Sequence, residues 1–250
     1  MNIFLLTQYY PPEPSSASMR MGEIGEYLAG KGHEVTVVMG FPNYPDGKVY
    51  DEYKMRLMMR EIVKLGNRES GKRRRGEESE AGEKGEGDGG GEIEIIRVPL
   101  YTTSQRRSFK HRMLNHISFM LTAIYGGLLA KRPDVIYFYS PPLFLGFTAW
   151  VLKKFYRVPT MVEINDPWPQ APIALGIIKN RAVIRLAEGF EKFVYKKTYY
   201  LFFYSHTHRK TIVDKGIPCE KMEIHPLWMD TEQFSECGED EKREIRENMA

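Results

Sequence analysis

Short apolar runs rich in β-branched and aromatic residues recur along the chain at 3–6, 35–39, 93–98, 135–139, 160–164, 200–204 and 222–225. Their hydrophobicity is continuous rather than alternating, which marks strands buried on both faces, as in parallel sheets. Between them lie stretches of helical periodicity at 19–29, 109–130, 143–156 and 181–197. In the first, Met21, Ile24, Tyr27 and Leu28 form one apolar stripe, and Gly30 and Gly32 suit its C-terminal stop. Strand–helix alternation of this kind predicts an α/β fold, a Rossmann-like parallel sheet with helices on both faces. Ligands of such sheets sit beyond the carboxyl ends of the strands. Candidate chemistry therefore belongs in the loops that follow strands.

One segment departs from the pattern. Residues 66–92 mix Lys72, Arg73, Arg74 and Arg75 with a run of Glu and Gly and hold almost no apolar side chain, so they are predicted to be a disordered charged insertion. The tract Arg73, Arg74, Arg75 reads either as an anion-binding patch or as a solvated loop whose charges largely cancel. Over the whole chain the formal net charge is +3, too small to imply a nucleic-acid partner. The two cysteines, Cys219 and Cys237, match no metal spacing and no disulfide framework, which suits a reducing compartment. The N-terminal run is too short and lacks the basic start of a signal peptide. No run of about 20 uninterrupted apolar residues predicts a membrane span.

Several post-strand loops carry candidate groups. In loop 11–18, Ser15, Ser16 and Ser18 are candidate helix caps. The absence of G-x-G-x-x-G there argues against a nicotinamide or flavin dinucleotide. Arg20, read as part of the first helical turn, is either an anion ligand at a helix N-terminus or the partner of a carboxylate such as Glu13 or Glu23. After the second strand, Phe41, Asn43 and Tyr44 combine flat apolar surface with polar groups, a sugar-binding combination or a packed turn. Tyr139 and Ser140 end the fourth strand, where Ser140 is also a candidate cap for the next helix. After the fifth strand come Glu163, Asn165, Asp166 and a Pro-flanked Trp168; two carboxylates and an amide at a strand terminus point to a ligand site more than to packing. His206 and His208 lack a third ligand nearby, and Ser205 reads as a cap. Lastly, a basic cluster (Arg106, Arg107, Lys110, His111, Arg112) leads into an apolar helix, so residues 106–129 suit either a core helix or an interfacial helix on anionic lipid.

Taken together, the stretches TQYYPPEPSSASMR, GKGHEVTVVMGFPNYPDGK, RVPLY, RPDVIYFYSPPL, EINDPWPQAPIALG, SHTHRKTIVDKGIP and MDTEQF resemble the N-terminal half of the family 4 glycosyltransferases, retaining enzymes of the two-domain GT-B fold. Within it they are similar to amino-sugar transferases of surface-polysaccharide assembly. The resemblance implies that 1–234 is an acceptor-side Rossmann-like domain and that 235–250 is a charged linker toward a C-terminal donor-binding domain, whose Glu-x7-Glu motif is not among these residues. It implies a nucleotide-sugar donor held mainly by that second domain, a sugar or lipid-linked acceptor, and no metal or other cofactor. The expected location is cytoplasmic, peripheral at the inner face of the membrane. Asp166 and Glu163 are the expected catalytic pair, with Ser15, Ser16, Arg20, Asn43, Tyr44, Tyr139, Ser140 and Trp168 binding substrate. At Tyr139 many relatives carry a His that contacts the donor sugar. The alternative class is a non-catalytic acceptor- or membrane-binding module whose donor site lies on a separate chain.

Overall fold

The computed structural model describes residues 1–65, 91–104, 107–166 and 168–226. Residues Met1–Leu65 and Gly89–Pro226 make one compact unit. Its strands are β1 (Asn2–Leu6), β2 (Glu34–Gly40), β3 (Met59–Lys64), β4 (Glu92–Val98), β5 (Val135–Ser140), β6 (Thr160–Ile164), β7 (Tyr200–Phe203) and β8 (Met222–Ile224). Its helices are α1 (Ser16–Gly30), α2 (Phe109–Leu128), α3 (Leu145–Tyr156), α4 (Gln170–Ala174), α5 (Arg181–Lys197) and α6 (His206–Asp214). The strands form one sheet in the order β3-β4-β2-β1-β5-β6-β7-β8. All neighbours run parallel except β3, which pairs antiparallel with β4.

Alternation along each strand divides the core in two. Ile3, Leu5, Val35, Val37, Ile93 and Ile95 face α1, whose Met21 and Ile24 pack on them. Phe4, Leu6, Val38, Ile96, Ile136 and Phe138 face the other way, against Phe119 of α2, Ala149 and Leu152 of α3, and Val194 and Tyr195 of α5. The sheet is thus covered on both faces, as its unbroken apolar strands require.

The order of strands reverses direction at β1: the chain steps to β2 on one side and later to β5 on the other. The loops after β1 and β5 therefore diverge, leaving a crevice at the carboxyl edge.

Three local features differ from the sequence reading. Helix α1 begins at Ser16, because Ser15 is the cap and its Oγ accepts from the Ser18 amide at 3.2 Å. Arg20 consequently lies in the second turn, past the helix N-terminus. Strand β3 is an added antiparallel edge, tied to the sheet where Glu61 meets the buried Arg97 guanidinium at 2.5 Å beneath the Tyr53 ring. Glu92 is already part of β4, opposite Lys64, so it does not belong to the charged insertion. Residues 66–90 of that insertion and the expected linker 235–250 lie outside the described residues. Among the described residues no helix is long and apolar enough to cross a membrane.

Candidate active site

At the switch point a cleft of about 520 Å³ opens between the loop after β1, the first turns of α2, and the segment after β6. Ser15, Ser16, Tyr44, Asp166 and Trp168 all line it. Five of the ten residues singled out from sequence thus meet in one cavity, drawn from three separate post-strand segments. Asp166 is exposed to it as a carboxylate just past the end of β6. Trp168 is half-buried and braced by Phe144, ring centroids 5.5 Å apart. Across the cleft the Tyr44 ring stands edge-on to Tyr9 at 5.8 Å. Phe109 and Met113 form one apolar lip, Leu175 and Ile177 the other.

The other five do not line it. Arg20 and Glu163 are both buried and joined by a hydrogen bond from Arg20 Nε to Glu163 Oε1 at 2.8 Å. Residues 161 and 163 point to the α1 face of the sheet, so a strand and a helix distant in sequence place opposite charges together. Tyr137 donates its hydroxyl to Glu163 Oε2, and Arg20 Nη2 lies 3.4 Å from His225 Nδ1. Both Glu163 oxygens are therefore engaged by protein groups. Arg20 has a buried carboxylate partner in Glu163, because the helix starts earlier and turns the side chain under β6. The pairing also means that Arg20 and Asp166 do not face one another across the cleft.

Tyr139 is buried and receives a hydrogen bond from the Asn165 amide; burial, then the Glu163 and Asp166 charges, hold its phenol well above the ordinary range. Ser140 does not cap α3, which starts at Leu145 after Phe144 without a side-chain cap. Its hydroxyl is buried and makes no hydrogen bond among the described residues. Asn43 is buried in a turn, its amide donating to the Phe41 carbonyl at 2.9 Å, and lines a separate shallow pocket of about 390 Å³ with Tyr44, Asp46 and Tyr50. That turn needs Gly47: φ is +73°, and a Cβ there would come within 2.2 Å of the Thr103–Ser104 backbone. Ser205 does cap α6, accepting from the Thr207 amide at 3.2 Å.

Two polar devices were not anticipated. Glu13, weighed only as a partner for Arg20, instead ties the loop after β1 to the loop after β2. Its Oε1 accepts from the Asn43 and Tyr44 amides at 2.8 and 2.9 Å. Burial pushes its carboxyl up to about 7 despite those hydrogen bonds. On the α2 wall, Asn115 donates to the Tyr101 carbonyl at 2.6 Å, Gln8 donates to Asn115 Oδ1 at 2.5 Å, and Gln8 Oε1 lies 2.7 Å from His116 Nδ1. A carbonyl can only accept, so the relay has one direction and His116 carries its proton on Nδ1. Nε2 is left as the acceptor nitrogen of a ring that lines the cleft. Burial and the neighbouring Arg112 lower the His116 pKa to about 4, so the ring is neutral. His116 and Arg112, both in the lining, had been read only as parts of a basic, amphipathic helix. Their place in the site comes from α2 crossing beneath Gln8.

An open, doubly covered parallel sheet with its cleft at the switch point, walled by a carboxylate and aromatic rings, defines the Rossmann-like class, consistent with the N-terminal half of a GT-B fold. Residues 17–228 match the family model of the glycosyl transferase 4-like domain, and the chain belongs to this family. It is also similar to the "Putative colanic acid biosynthesis glycosyl transferase WcaI" of Escherichia coli (strain K12), 25% identical over 254 residues, which covers 100% of this chain and 55% of that protein. The chain spans about half the length of the curated relative it matches.

Proposed function

We propose that this chain is the acceptor-side domain of a retaining glycosyltransferase, passing a sugar from a nucleotide-sugar donor to a hydroxyl of a saccharide or lipid-linked acceptor in surface-polysaccharide synthesis. The observation that carries the reading is the convergence of Asp166, Trp168, Tyr44, Ser15 and Ser16 on one switch-point cleft. Family membership and the polysaccharide-related name of the relative support it. Trp168 and Tyr44 offer flat faces to the C–H surface of a pyranose. Asp166 accepts hydrogen bonds from the acceptor hydroxyls and fixes which one is presented. Its charge also favours the positive character that develops on the transferring sugar. The departing diphosphate is held mainly by a donor-binding domain, with the N-terminal amides of α1 on this side suited to negative charge. His116 Nε2 is a second hydrogen-bond acceptor for an incoming hydroxyl. Arg20, Glu163 and Tyr137 act from below, holding the end of β6 that aims Asp166. The apolar lips favour an acceptor with a hydrocarbon segment, used at the inner face of a membrane.

The test is transfer of labelled sugar from UDP- and GDP-sugars to a membrane lipid extract by the complete protein. Asp166→Asn is expected to lower kcat/KM on the order of 100-fold with an unchanged melting temperature. Unaltered turnover in that variant would remove Asp166 from the mechanism.

A further inference from the structure

Helix α2 is apolar on its outer face as well as on the inner face that packs on the sheet. Its solvent side carries Leu114, Ile117, Leu121, Tyr125 and Leu128, exposed by 48%, 37%, 55%, 42% and 38%. The spacing 3, 4, 4, 3 makes one continuous stripe about 21 Å long at the helical rise per residue. From Met113 to Ala130 there is no charged side chain apart from the neutral His116. The polar groups turn sideways or inward: Asn115 to the Tyr101 carbonyl, Ser118 to the Tyr101 amide, Thr122 to the Pro99 carbonyl. A covering helix normally shows the reverse arrangement. Helix α5, by contrast, exposes Arg185, Glu188, Lys192 and Lys196 alongside Val183 and Leu186, so its outer face is mixed rather than uninterruptedly apolar.

Core packing does not account for the stripe. The inner face is filled by Phe119 and Ala123, and Gly126 and Gly127 bring the helix so close that a Cβ would sit 2.6 Å from Val98 and 2.5 Å from Leu152. Along the sequence that carries the stripe the charge is of one sign: no Asp or Glu occurs from 95 to 133, while Arg107 and Lys110 are exposed before the stripe and Lys131 and Arg132 after it. Lys131 is paired with Glu34; the others have no ion pair among the described residues. An apolar stripe bounded by cations complements a layer with negative headgroups over a hydrocarbon interior.

We propose that the outer face of α2 is a membrane-docking surface that seats the domain on an anionic bilayer, the helix lying in the interface. The first two turns of α2, with Phe109, Arg112, Met113 and His116, also wall the cleft. Docking therefore sets the cleft mouth beside the headgroups, where a lipid-linked acceptor keeps its chain in the bilayer. The acceptor clause rests on the transferase reading; the docking itself does not.

The experiment is vesicle co-sedimentation of the chain with phosphatidylcholine containing about 30% phosphatidylglycerol, against pure phosphatidylcholine, with no sugar present. Binding to the anionic vesicles is expected to exceed binding to neutral ones on the order of tenfold and to fall with salt. Leu121→Glu and Leu114→Glu, both at exposed positions, are expected to lose at least roughly tenfold in affinity with unchanged circular dichroism and melting temperature, and Lys110→Glu a similar factor. Wild-type binding by both outer-face variants, or equal binding to neutral and anionic vesicles, overturns the proposal. So does a dimer in size-exclusion chromatography that Leu121→Glu converts to monomer without any vesicle binding, since the stripe would then be a self-association face. Because no sugar enters the assay, its failure leaves the transferase reading standing, and inactive enzyme leaves docking standing.

Discussion

Replacing Glu163 by Gln tests whether the carboxylate under the cleft is a structural anchor. In the native protein the Arg20 side chain is 6% exposed and that of Glu163 3%, with Nε and Oε1 2.8 Å apart. Solvent screening is therefore small. Glutamine keeps the shape and can still accept from Tyr137, but it removes the Glu163 charge beside a buried guanidinium. Removing one partner of such a pair costs about 3–5 kcal/mol, far more than an exposed pair would lose. With a urea m-value of about 3 kcal/mol/M, the unfolding midpoint is expected to fall by roughly 1–1.7 M at constant m. The control is Asp166→Asn, an exposed carboxylate three residues on, whose midpoint is expected to move by less than about 0.5 kcal/mol equivalent. Replacing both members, Arg20→Met with Glu163→Met, is expected to recover much of the loss, because no lone charge remains buried. A Glu163→Gln midpoint within error of wild type would refute the anchoring role and return Glu163 to the candidates for direct substrate contact.

Two further outcomes follow from the buried titratable groups. Burial raises the Glu13 carboxyl from its ordinary 4.5 to about 7, so the folded state holds a proton that the unfolded state has released. Stability is therefore expected to fall as pH rises from about 4.5 to about 7, by an amount on the order of 3 kcal/mol, and to level off above. Glu13→Gln should flatten that slope in denaturation series at several pH values, and a slope unchanged by the substitution would exclude Glu13 as its source. For His116 the shift is downward to about 4, so the unfolded state binds the extra proton and stability is lost as pH falls from about 6.5 toward 4. Nitrogen-15 spectra should show a neutral Nδ1–H imidazole at pH 5.5; an imidazolium signal there would break the Gln8–Asn115 relay as drawn.

Much of the sheet was legible because parallel strands are apolar on both faces. Seven of the eight strands in this sheet appear in the sequence as continuous hydrophobic runs, with ends correct to within a residue or two. Strand β3 did not, since an edge strand need bury little: Ile62 and Val63 are 65% and 39% exposed, and pairing with β4 and the Glu61–Arg97 contact hold it. Helix α4, five residues long, carries too few turns for a periodic signal. The start of α1 was misplaced because three serines in a row of four are equally able to cap, and only the fold selects Ser15.

Local chemistry and periodicity thus determined the α/β class, the loops at the carboxyl edge, and the presence of Asp166, Trp168, Tyr44, Ser15 and Ser16 among the candidates. Which of those candidates see solvent was decided by the tertiary structure. Side chains three positions apart at a strand end take opposite fates, so Glu163 turns under the sheet edge to Arg20 while Asp166 opens into the cleft. The pairing of Gln8 with Asn115 and His116, over more than 100 residues of chain, has no local signature at all. Such contacts depend on which helix covers which face, a consequence of strand order, and strand order is set by how the whole chain buries its apolar surface.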